Sequence, residues 1–204
     1  MLVIIDYGVG NLTSIQNMLK KGGIKSIISN NTEDIQKADK ILLPGMGHFD
    51  NCMIKLNASG LRPAIEEKAL KEKIPTLGIC VGLQMYMESS EEGNEPGLGW
   101  IKGKTIRFRT DKMSEQQKIP NMGWLEIKQQ RPSKLLEGLD NARFYFAHSY
   151  HVSPDQHEDE LLAAYYGYDF TAAIERENLI GVQFHPEKSH RFGMQLLRNF
   201  ALNY

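Results

Sequence analysis

Cysteine is scarce: Cys52 and Cys80 are the only two in 204 residues. Two thiols cannot staple a disulfide-built scaffold, and beside nine methionines they suit a reducing compartment, so a cytoplasmic location is expected. Positive charge is not in excess. Lys plus Arg number 24 against 25 Asp plus Glu, a net charge of −1, so neither nucleic acid nor an anionic membrane surface is expected as a partner. Long apolar runs are missing, and none approaches the ~18–20 residues of a membrane helix. The opening Met1-Leu2-Val3-Ile4-Ile5 is cut short by Asp6 with no basic stretch before it, which argues against a signal peptide. Eight prolines and 18 glycines exclude a low-complexity or collagen-like chain. What is left is an ordinary globular composition, long enough for a single domain over residues 1–204.

The first half alternates short apolar runs with helical spacing. Leu2 to Ile5, Ile24 to Ile28, Ile41 to Leu43 and Thr76 to Ile79 read as strands. Leu12, Ile15, Met18 and Leu19 recur at helical intervals before Gly22-Gly23. Thr32 can cap a short helix, Pro63 suits the first turn of another through Lys71, and Val81 to Glu88 reads as helix. The second half reads as strands at Ile101–Phe108, Trp124–Ile127, Phe144–Phe146, Leu161–Tyr166, Thr171–Arg176 and Leu179–Phe184, with a closing helix around Phe192 to Phe200. Residues 109–118 are polar and read as a mobile loop. The expected fold is α/β: a mostly parallel central sheet flanked by helices, with an antiparallel, β-rich second half.

Gly78-Ile79-Cys80-Val81-Gly82 follows a buried strand and opens a helix. A nucleophile on such a strand-to-helix turn stands clear above the sheet, with glycines easing the turn and backbone N–H groups ready for an oxyanion. A cysteine nucleophile needs a base and the base needs an orienting partner. Gly181-Val182-Gln183-Phe184-His185-Pro186-Glu187 supplies both, and in an extended segment His185 and Glu187 project from the same side. Cys80, His185 and Glu187 together make a coherent triad.

Gly78-Ile79-Cys80-Val81-Gly82-Leu83-Gln84 and Phe184-His185-Pro186-Glu187 resemble the two signatures of class I glutamine amidotransferases. The resemblance covers nearly the whole chain and implies their flavodoxin-like fold. Ile5-Asp6-Tyr7-Gly8-Val9-Gly10-Asn11, Pro44-Gly45-Met46-Gly47, Met122-Gly123-Trp124, His148-Ser149-Tyr150 and Leu197-Arg198-Asn199-Phe200 are similar to one branch, the glutaminase subunits of imidazole glycerol phosphate synthases. By that resemblance Cys80 attacks the amide of L-glutamine, His185 relays protons and Glu187 orients it. Backbone N–H groups of Val81 and of Met46 or Gly47 receive the oxyanion, with a peptide flip in the latter pair. Gln84, Glu92, Ser149 and Tyr150 hold the glutamine. The partner is a (β/α)₈ cyclase/synthase forming a heterodimer, with Pro120, Asn121, Trp124 and Lys188 at the interface and an apolar patch around Met122, Trp124 and Gly8-Val9-Gly10. No cofactor or metal is implied.

The chain departs from that branch in three places. Asn121 stands where His is common, Leu125 where Asn is common and Leu83 where Met is common. The first two fall beside the expected ammonia passage, so a paralogous glutaminase serving the amidination or amination of a bacterial surface sugar is the alternative to histidine biosynthesis. A stand-alone γ-glutamyl hydrolase and a non-enzymatic binding module are the remaining readings, and the intact Cys80, His185 and Glu187 argue against the last. Gly8-Val9-Gly10 lacks the third glycine of a dinucleotide turn, with Thr13 in its place. The pairs His185/His190 and His148/His151 lack metal-ligand spacing. Lys102, Lys104, Arg107 and Arg109 read as a solvated strand face.

Overall fold

The computed structural model describes residues 1–204. Strands β1 (Leu2–Ile5), β2 (Ser26–Ser29), β3 (Lys40–Gly45) and β4 (Thr76–Cys80) alternate with helices α1 (Leu12–Lys21), α2 (Thr32–Gln36), α3 (Phe49–Ala58) and α4 (Arg62–Glu66). A single turn, α5 (Val81–Gln84), follows β4. Then come β5 (Ser89–Ser90), β6 (Gly103–Arg107), β7 (Asn121–Gln129), β8 (Arg143–His148), β9 (Tyr150–Pro154), β10 (Glu160–Tyr166), β11 (Tyr168–Arg176) and β12 (Leu179–Val182), and α6 (His190–Asn203) closes the chain.

Nine strands form one sheet in the order β2-β1-β3-β4-β12-β11-β10-β7-β8, and β5-β6-β9 form a second. The contacts from β2 across to β12 are parallel, and those from β12 across to β8 are antiparallel. The expected architecture is therefore present, with its two halves meeting at β4 and β12. Every residue of β1, β4 and β12 is buried, as apolar runs covered on both faces require. The last strand of the chain thus lies directly beside the strand that carries Cys80, and residues 103 apart in sequence become neighbours.

Several elements differ from the sequence expectation. β3 runs through Pro44 to Gly45 rather than stopping before them. Its ladder with β1 ends at Leu42, and only β4 continues alongside, so the N–H that proline lacks is not needed on the β1 side. Helix ends at Gln84 instead of reaching Glu88. Backbone carbonyls of Met85, Tyr86 and Met87 are taken by the N–H groups of Leu98, Ile101 and Gly99, and this loop pairing replaces helical bonds around side chains that stay buried. α4 starts at Pro63's turn but continues as a π-helical stretch, Glu67–Lys71. β9 and α3 are additions. α3 has a legible signal, Phe49, Cys52, Met53 and Leu56 buried at helical spacing, and the His48 ring accepts the Asp50 N–H at its start. Asn199, on α6, donates to the Leu135 and Glu137 carbonyls at 2.8 Å each, which locks the final helix to the loop before β8. Lys104 and Arg107 are exposed as expected, while Arg109 pairs with Glu91 through two hydrogen bonds. Residues 109–118 hold a 3₁₀ turn at Thr110–Lys112.

Candidate active site

The sharpest backbone feature of the site is Cys80 itself, with φ +56° and ψ −113°. A non-glycine residue there is strained, and such strain collects at functional sites. The flanking glycines do a different job from the one expected: neither Gly78 nor Gly82 has a positive φ. They make room. A Cβ on Gly82 would lie 1.9 Å from the Leu43 carbonyl oxygen, and one on Gly78 would lie 2.8 Å from the Leu83 nitrogen. Gly45 is squeezed from the other side, its Cβ position 2.4 Å from the Gly82 nitrogen. β3 and the elbow pack backbone to backbone. Because α5 is a single turn its macrodipole is small, and the local N–H groups of that turn are what an oxyanion would meet.

His185 sits just past β12 in an extended conformation. Its N–H donates to the Tyr145 carbonyl at 2.9 Å, and its own carbonyl accepts from the Ser189 hydroxyl at 2.6 Å. Ser189 Oγ in turn accepts the Tyr145 N–H at 3.0 Å, so the segment is pinned to β8. Glu187 lies in a 3₁₀ turn, Pro186–Lys188, rather than in extended chain. That turn still brings Glu187 Oε1 to 2.9 Å from His185 Nδ1. Both side chains are buried, at 5% and 3% exposure, which leaves Nε2 for Cys80. Burial opposes a charge on His185, but hydrogen bonds to Cys80 and Glu187 and the charges of both outweigh it, and its pKa is pushed up to about 10.

Cys80, His185, Val81, Met46, Gly47, Gln84, Glu92, Ser149, Tyr150 and Lys188 all border one cavity of about 110 Å³, with Ala147 and His148. Every residue expected to touch substrate is thereby gathered from the stretch after β3, the end of β4, α5, the stretch after β5, the β8–β9 junction and the stretch after β12, and Glu187 stands behind His185. The Glu92 carboxylate accepts the Phe49 N–H at 2.8 Å. Gln84 Nε2 donates to the Tyr150 carbonyl at 2.9 Å. Cys52, the other thiol, lies in the core: it donates to the Met46 carbonyl at 3.6 Å, and burial raises its pKa.

Two members of the site lie within the quoted motifs but carry no role in the sequence reading. His148 borders the cavity, and burial drives its pKa down to about 3, leaving it neutral. Gln183 reaches Cys80, and its place two residues before His185 on an apolar strand is the only trace of it in the sequence. The surface residues divide. Pro120, Trp124 and Lys188 are exposed, Trp124 stacked on His190 with ring centroids 5.4 Å apart, and Met122 is 65% exposed. Asn121, expected on the same face, is buried, with its amide nitrogen 3.4 Å from His148 Nε2. The alternation of β7 turns Asn121 inward when Met122 points out. Val9 is half-buried against the core. Of the histidines considered for a metal, His185 is bonded to Glu187 and His151 to the Val152 carbonyl and the Tyr168 hydroxyl. No helix is long and apolar enough to cross a membrane.

Residues 3–204 match the model of the glutamine amidotransferase class-I family. The chain is 48% identical to imidazole glycerol phosphate synthase subunit HisH 2 of Pseudomonas aeruginosa over 202 residues, 98% of each chain. It is 45% identical to subunit HisH of Leptospira interrogans, over 98% of this chain and 99% of that one. Among solved structures, PurLQS from Thermotoga maritima superposes with a TM-score of 0.72 at 16% identity, covering 100% of this chain and 97% of that one, which shows a shared fold. The chain belongs to the class-I glutamine amidotransferases, within the family of imidazole glycerol phosphate synthase HisH subunits.

Proposed function

We propose that this enzyme hydrolyses L-glutamine to L-glutamate and ammonia at Cys80 and passes the ammonia to a cyclase/synthase subunit of (β/α)₈ fold, in a heterodimer. That subunit uses it to make imidazole glycerol phosphate and AICAR in histidine biosynthesis. Cys80 Sγ attacks the side-chain amide carbon, an S–C bond forms and the amide oxygen takes the negative charge. The Val81 N–H and an N–H of the Met46–Gly47 stretch receive that oxygen. Gly47, at φ +92° with nothing within 4 Å of a Cβ position, leaves that stretch free to turn. His185 gives its proton to the amide nitrogen, ammonia leaves and a γ-glutamyl thioester remains. His185 then takes a proton from water, which cleaves the thioester. Gln84, Glu92, Ser149 and Tyr150 hold the amino-acid end, and Pro120, Trp124 and Lys188 face the synthase.

The observation that carries this reading is the buried His185–Glu187 pair, 2.9 Å apart, with His185 and Cys80 bordering one cavity. The test is glutamate release by the chain alone and with the synthase and its acceptor. Release should be slow alone and rise on complex formation. Cys80→Ala should abolish glutamine use while the synthase still accepts free ammonium. Full-rate hydrolysis alone, indifferent to any synthase, would instead identify a stand-alone γ-glutamyl hydrolase.

The second reading sends the ammonia to a synthase that modifies a bacterial surface sugar. Two features favour it: Asn121, buried on His148, and the half-buried Leu125 depart from the usual branch pattern, and the Pseudomonas relative is named subunit HisH 2. Co-purification with each candidate synthase separates the two.

A further inference from the structure

Gln183 is fully buried and does not border the substrate cavity. The β4–β12 ladder pairs Val182 with Ile79, so the next step brings Gln183 level with Cys80. Its Nε2 lies 3.7 Å from Cys80 Sγ. Which end of a glutamine amide faces a neighbour is decided by its other partners. Here the chain of partners ends on a group that has only one role. The Tyr150 backbone carbonyl can only accept, and Gln84 Nε2 lies 2.9 Å from it. That fixes the NH₂ group of Gln84 toward Tyr150. The same nitrogen is 3.1 Å from Gln183 Oε1, and with two N–H groups it donates to both. Gln183 Oε1 is therefore the accepting end, and its NH₂ group is the end left at the sulfur.

Resting on the reading of Cys80 as the nucleophile, we infer that Gln183 is a catalytic residue: its side-chain N–H donates to the Cys80 sulfur and stabilises the thiolate, in a direction imposed by the Tyr150 carbonyl through Gln84. A thiol accepts hydrogen bonds weakly and a thiolate strongly, so an N–H held there favours ionisation. His185 supplies one proton donor to the sulfur and Gln183 a second. Because Gln183 stays out of the cavity, its loss should act mainly on the chemical step and reach substrate binding only through Gln84.

The test uses the full chain and two measurements. Alkylation of Cys80 by iodoacetamide, followed against pH by mass spectrometry of the Cys80 peptide, reads the thiolate without glutamine. Glutamate release then separates kcat from KM. Gln183→Met keeps length and burial but removes the donor. The half-maximal alkylation pH should rise by about one unit, with kcat down about tenfold at neutral pH and KM moving less than kcat. Gln183→Glu still accepts from Gln84 but sets a carboxylate oxygen on the sulfur, and its shift should be larger. A folded Gln183→Met variant with the wild-type alkylation profile overturns the inference, as does a Gln183→Glu variant no worse than Gln183→Met. If neither variant folds, the wild type decides: the ¹⁵N side-chain resonance of Gln183 should move as Cys80 titrates, and a resonance that stays still overturns the inference. Glutamine hydrolysis surviving in Cys80→Ala would remove the nucleophile itself, an outcome separate from any of these.

Discussion

Replacing Gly82 by alanine adds one methyl group where β3 leaves no space for it. The new Cβ would lie 1.9 Å from the Leu43 carbonyl oxygen and 3.0 Å from its carbon, where contacts under 3.0 Å essentially never occur. The elbow and β3 must separate by more than about an ångström. No side chain can swing aside, because both partners are backbone and Leu43 is paired with Gly78 of β4. Overpacking of this kind costs about 1–3 kcal/mol of stability. The larger effect falls on Cys80, two residues away: misplacing a reacting group by about 1 Å costs on the order of 10²-fold in rate. Glutamate release and thermal unfolding by circular dichroism read the two effects. Gly99→Ala is the control. Gly99 has φ +65° but nothing within 4 Å of a Cβ position, so it should lose about 1–2 kcal/mol and keep its turnover. Wild-type turnover in Gly82→Ala would refute the claim that close packing on β3 positions the nucleophile.

Two further outcomes are expected. Glu187→Gln removes a charge that holds His185 protonated, so kcat should fall about 10²–10⁴-fold. The stability that the raised His185 pKa contributes is complete below its ordinary value of 6.5 and is lost as pH rises through about 10. Melting curves of variant and wild type should therefore differ at neutral pH and converge above about pH 10, and a constant gap would count against the assignment. His148 and His151 are held neutral by burial, with pKa values lowered to about 3 and about 4. Unfolding lets both take protons below 6.5, so stability should fall as pH drops from there, by at most about 1.4 kcal/mol per pH unit for each ring. His151→Gln should make that slope shallower in urea titrations between about pH 6 and pH 4, and an unchanged slope would exclude His151 as a source of it.

Local pattern made much of the molecule legible. Four apolar runs in β1 to β4, the elbow around Cys80 and the His185–Glu187 pair are all visible in the order of residues. The helix read through Glu88 failed for a definable reason. Met85, Tyr86 and Met87 are as buried as helical core residues, but their carbonyls serve the loop at Leu98–Ile101. Hydrophobicity reports burial, and it does not report which partner takes the backbone hydrogen bonds. The 3₁₀ turn at Glu187 was hidden likewise, since a one-residue gap next to proline permits either extended chain or a turn.

The sequence by itself determined a single α/β chain with a cysteine poised at a strand end and a histidine–glutamate pair at another, because these features depend on residues within a few positions of one another. Only the tertiary structure decided that β12 inserts beside β4. That parallel pairing joins Cys80 to His185 and puts Gln183 against the sulfur, while the antiparallel β7–β8 pairing leaves Asn121 inside on His148. The physical reason is that strand order and register belong to the packing of buried faces across the whole sheet. No local stretch of residues encodes which buried strand will lie next to which. One of the two scarce cysteines is thus brought beside His185 by a strand about one hundred residues further on, and the other fills the core.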